Sequence, residues 1–133
     1  MNGRNTAGRI LVATGSIVLF ASVVLHIRGG YSQGFPALAA SNLEAGLQAA
    51  FRVVFLTVAG HWILLGLIAV VAAFKATAAR TAIVLLCGFG ILIEAVAGAT
   101  VVGLFIGNEL IGAAAILMIV GGWLLGGVDT RPQ

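Results

Sequence analysis

Very little of this chain is charged. Lys, Arg, Asp and Glu make up 8% of its 133 residues, against about 25% in a typical soluble domain. That scarcity argues against a surface built to meet water on every side. Cysteine is nearly absent too. The single Cys87 excludes an internal disulfide and a thiolate metal cage, both of which need several cysteines. Histidine occurs only at His26 and His61, which leaves few ligands for haem or metal. No phosphate-binding glycine loop, nucleophile elbow or HExxH pattern is present.

What is there is apolar. Hydrophobic residues form 61% of the chain and the mean hydropathy is +1.16. A chain this short cannot bury so much apolar surface within itself, so the excess must face lipid or partner proteins. The +3 net charge comes from basic residues that are scattered along the chain, so nucleic acid is not an expected partner.

The expected fold is all-α, a four-transmembrane-helix bundle forming one membrane domain over 1–133. Spans are placed at about 9–27, 49–74, 81–105 and 109–127, with an outer loop at 28–48. The first run follows a basic stretch as a signal peptide would, but the small residues Ala37 to Ala40 lie too far beyond it for cleavage. The loop is inferred from Gly29, Gly30, Gly34 and Pro36. Ser41 and Glu44 have the spacing of a capping box, which would start the second helix near Asn42. Asn108 is expected to cap the fourth span after a tight hairpin.

Orientation follows from the basic residues between spans. Arg4, Arg9, Lys75, Arg80 and Arg131 fall on one side, with Arg28 and Arg52 on the other. The positive-inside rule then places both termini in the cytoplasm, in a bacterial inner membrane. Small residues at four-residue spacing, such as Gly103 with Gly107 and Gly122 with Gly126, suit close helix packing.

Ionisable residues inside a span are costly, so they mark the positions worth attention. Glu94 lies deep in the third span and His61 deep in the second. From these boundaries their depths differ by roughly 8 Å. Ser22 and Thr57 fall at matching depth, which suggests an intramembrane polar site of Glu94, His61, Thr57 and Ser22. Such a site can be a packing device or a place for protons or a ligand. The Trp62 indole N–H needs an acceptor, and Glu94 is available. A second group, His26, Arg52, Asn108 and Glu109, gathers near the outer surface, where Arg52 and Glu109 are close enough in depth to pair. His26 and His61 differ in depth by about 14 Å, too far apart for one haem iron. No catalytic residue, metal site or cofactor is expected.

Asn42 ends the polar loop, Arg52 stands in FRVVFLTVAG, and Glu109 opens GNELIGAAAIL. In this layout the chain resembles small bacterial four-span membrane proteins and, more loosely, the DoxX-like four-span proteins. Where such proteins often carry a glycine-arginine pair in span three, this chain has GFGILIE. The resemblance implies a fold and no mechanism. The functional expectation is a non-enzymatic accessory or assembly subunit, with membrane lipid and either other membrane subunits or further copies of itself as partners. The alternatives are a small proton-coupled transporter or ligand-binding protein using Glu94 and His61, and an enzyme acting on lipid or quinone.

Overall fold

The apolar runs fold into helices throughout. The computed structural model describes residues 3–75 and 77–126. It contains α1 (Gly3–Gly29), α2 (Phe35–Ala39), α3 (Ala45–Phe74), α4 (Arg80–Val102) and α5 (Ile106–Leu125), with a π turn over Gly30–Gly34 joining α1 to α2. Four helical segments are long and apolar enough to cross a membrane, counting α1 through α2 as one segment, Gly3–Ala39. They fit a multi-pass membrane protein by length and composition.

The stretch expected as a loop over 28–48 is mostly helix. In the π turn the Phe35 N–H donates to Gly30 O, a wider turn than the α-helix makes. That widening accommodates Pro36, which lacks an N–H and whose ring would strike the carbonyl one α-turn back. The glycines and proline that read as a break therefore make a local widening within a continuous segment. Only residues 40–44 connect it to α3.

The expected capping box does not form. The α3 N-cap is Glu44, with no side-chain cap bond. The Ser41 hydroxyl instead donates to Leu38 O at 2.6 Å, closing the end of α2. The second hairpin also differs from expectation. Asn108 is inside α5, and Phe105 is its N-cap. Gly103 ends α4 at φ +90°, a conformation that favours glycine. The expected end of the fourth span near residue 127, and Arg131, lie outside the described residues.

The helices form a ring in chain order. Segment α1 packs on α3 and α5, and α4 packs on the same two, so α3 and α5 are diagonal and barely touch. The buried face of α1 is Gly8, Val12, Gly15, Ser16, Leu19, Ser22 and Val23, three- and four-residue steps that make one stripe. Small residues set the α1–α5 distance. A Cβ on Gly15 would stand 2.8 Å from Ala114 O, and one on Gly121 would stand 2.8 Å from Gly8 O. Where helices meet in lipid, dispersion and hydrogen bonding replace the hydrophobic effect as the drive for association, so such close backbone approach matters. Ser16 adds an interhelical bond, its buried hydroxyl donating to Gly66 O at 3.2 Å.

Candidate functional site at the α3–α4 seam

Three side chains meet at mid-height between α3 and α4. The Trp62 indole N–H donates to Glu94 Oε2 at 2.5 Å. His61 Nδ1 lies 2.9 Å from the other carboxylate oxygen, Oε1. Consecutive residues on a helix point about 100° apart, which explains their different surroundings. Trp62 is buried at 5% exposure in the core, whereas the His61 and Glu94 side chains are 43% and 32% exposed. The carboxylate sits on the edge of the buried face of α4, beside Ile91 and Ala95. The pair therefore opens outward from the bundle, along the seam.

The depth mismatch expected between His61 and Glu94 disappears when both are measured from the end they share. His61 precedes Phe74, and Glu94 follows Arg80, by nearly the same number of residues. Helical rise puts each about 20 Å from that end. The outer end of α3 is a poor reference for depth, because α3 begins at Ala45 and is longer than the bilayer core.

His26 joins this site through Trp62. Its ring stacks on Phe55 at 3.7 Å with an 11° interplanar angle, and meets Trp62 edge-on at 5.0 Å. His26 Nε2 is 3.2 Å from Phe55 O. Helical side chains lean toward their own N-terminus. Trp62 thus reaches from the level of His61 toward the end of the bundle where His26 lies. His26, read from the sequence with the outer group, is thus in one chain of contacts with His61 and Glu94 across α1, α3 and α4.

Ser22 and Thr57 do not join Glu94. Each hydroxyl donates to the carbonyl one turn back in its own helix, Ser22 to Val18 O at 2.9 Å and Thr57 to Val53 O at 2.8 Å. A short hydroxyl in a helix can satisfy itself this way without a neighbour. Ser22 is buried and Thr57 is exposed.

The outer group also divides. Arg52 stands over the Phe35 ring, 5.6 Å from its centroid. Glu109 is exposed at the start of α5. Their expected pairing is absent among the described residues, where His61–Glu94 is the only contact between a basic and an acidic side chain, because α3 and α5 are diagonal in the ring. Asn108 is buried and donates through Nδ2 to Gly103 O at 3.0 Å, tying α5 to the turn that precedes it. A Cβ on Gly98 would stand 2.9 Å from the Asn108 side-chain oxygen.

The basic end holds contacts that the spacing of residues did not suggest. One Arg80 guanidinium nitrogen donates to Asn5 Oδ1 at 3.2 Å and to Leu125 O at 3.0 Å. Arg4 donates to Trp123 O at 3.4 Å, and Arg9 lies over the Phe74 ring at 5.6 Å. Arginine is well placed at the C-terminus of a helix, where carbonyls lack intrahelical donors. These bonds put Gly3 and Gly126, the two ends of the described chain, on the same side of the bundle.

The seam can exchange a proton between imidazole and carboxylate, and it can offer hydrogen bonds sideways to another helix. Among the described residues no three of His, Cys, Asp and Glu converge to hold a metal ion. The chain matches no protein-family model, and no curated protein or solved structure matches it.

Proposed function

We propose that this chain is a non-enzymatic membrane subunit, and that the α3–α4 seam receives a transmembrane helix of another subunit. The observation that carries this reading is the outward-facing His61–Glu94 pair. Polar side chains at mid-membrane are expensive against lipid and normally face protein or water. His61 Nε2 has no protein partner among the described residues, so a neighbouring helix with a hydrogen-bonding side chain at that depth would complete the site. Exposed Ile93 and Leu64 flank it with apolar surface.

The same reading places the protein in a bacterial inner membrane with both termini cytoplasmic. Arg4, Arg9, Lys75 and Arg80 at one end outweigh Arg28 and Arg52 at the other, as the positive-inside rule requires. The resemblance to small four-span and DoxX-like proteins agrees with this arrangement and adds no chemistry.

The test is site-specific photocrosslinking in intact membranes. A photoreactive residue at position 93, beside the pair, should give a stoichiometric adduct with a second membrane protein. The same residue at position 17, exposed on α1 across the ring, should not. Glu94→Gln should weaken the adduct. Adducts only with lipid would remove this reading, and an adduct with a second copy would convert it to self-association.

Direct contact between His61 and Glu94 favours one other reading, proton-coupled transport, because an imidazole and a carboxylate at 2.9 Å can pass a proton. Reconstituted wild type, Glu94→Gln and His61→Ala would then differ in proton flux. Equal fluxes from folded proteins exclude it.

A further inference from the structure

The helices are unequal in length. The segment from α1 through α2 has 37 residues and α3 has 30, against 23 in α4 and 20 in α5. At about 30 Å, α5 matches the thickness of a hydrocarbon core most closely. Measured along α3 from Phe74, the same 30 Å ends near Val54. Phe51, Arg52 and Phe55 therefore lie at the boundary between acyl chains and headgroups. At this level the π turn and α2 lie beside α3 and leave a groove of about 190 Å³ lined by Gly34, Phe35, Leu38, Phe51 and Phe55. The lining is apolar and largely aromatic. Arg52 stands at the rim over Phe35, and no carboxylate among the described residues pairs with it.

We infer that this groove binds an anionic phospholipid, one acyl chain lying against Leu38 and Phe55 and the phosphate resting on the Arg52 guanidinium. Arg52 is exposed at the rim, so its charge and the apolar wall meet the same membrane boundary. The guanidinium fork matches phosphate oxygens in pairs, and its contact with Phe35 holds it above the groove. The site shares Phe55 with the contacts of His26 but does not depend on the role proposed at the α3–α4 seam.

Native mass spectrometry tests it. The protein is taken from vesicles of equal phosphatidylglycerol and phosphatidylcholine with identical chains, and the retained lipids are counted. Arg52→Gln should lower the ratio of retained phosphatidylglycerol to phosphatidylcholine about fivefold, the effect of one basic residue at an anionic surface. The basic residues at the opposite end are unchanged in this variant, so they do not contribute to the difference. Arg52→Lys should give an intermediate ratio. Leu38→Trp, which fills the groove, should lose one bound lipid of either headgroup. An unchanged ratio in Arg52→Gln overturns the proposal, as does a protein crosslinked to position 51 in place of lipid.

Discussion

Trp62 and Glu94 share a hydrogen bond between α3 and α4 at the mid-height of the bundle. The indole end is buried and the carboxylate end reaches the open seam. The bond thus fixes a polar group that faces outward from a point inside the core, and its removal has consequences at both ends.

Trp62→Phe keeps most of the buried ring and removes the donor, leaving Glu94 Oε2 without its partner. The expected loss of stability is about 1–3 kcal/mol, read from thermal unfolding in detergent. Glu94→Gln keeps an acceptor for the indole and should lose less. If the two variants melt together, the indole bond contributes little. Tryptophan emission in a Trp123→Phe background gives an independent reading, since Glu94→Leu should then shift the Trp62 band to the blue.

Close packing of α1 on α5 predicts a sharp contrast among glycines. Gly15→Val should destabilise by about 1–3 kcal/mol, because the added carbons meet Ala114 O and Met118. Gly60→Ala meets nothing within 4 Å and should be neutral, or stabilising by up to about 1 kcal/mol through helix propensity. Equal melting temperatures for the two variants would contradict the α1–α5 contact.

Much of this architecture was legible in advance, and its failures share a cause. Apolar runs long enough to cross a membrane can hardly be anything else, so the number of membrane-length segments followed directly. The capping spacing at Ser41 and Glu44 misled because local hydrogen-bonding residues have several options. Ser41 closes α2, where the sequence offered it as the start of α3. The glycines around Pro36 misled because a π turn uses the same residues as a break. Nothing local indicates that α1 rests against α5, since Gly8 and Gly121 are brought together only by closure of the ring. Phe55 as the partner of His26 was hidden for the same reason.

Asn108 should matter more than its position near a turn suggests. Asn108→Ala removes the bond to Gly103 O and leaves that carbonyl without its side-chain donor. The expected effect is about 1 kcal/mol and faster hydrogen exchange confined to the turn between α4 and α5. Asn108→Asp keeps the shape but cannot donate when ionised, and it should behave like the alanine variant. Exchange unchanged in both would assign the turn to Gly103 alone.

Accessibility mapping checks the ring and its two ends. Single cysteines in a Cys87→Ser background at Gln33 and at Thr77 should react with a membrane-impermeant maleimide from opposite sides of sealed vesicles. Under the proposed orientation, Gln33 is labelled from outside whole cells and Thr77 only after lysis. The reverse pattern would invert the protein in the membrane without altering its fold.

Arg80 gives the order of assembly a final step. Its two partners, Asn5 and Leu125, belong to the first and last helices. A chain made from its N-terminus can bring Asn5 and Arg80 together while α5 is still unmade. The Leu125 carbonyl arrives only when the last helix has crossed. Until then one hydrogen-bonding place on the guanidinium is unfilled. Arrival of α5 closes that place and completes the ring in one event.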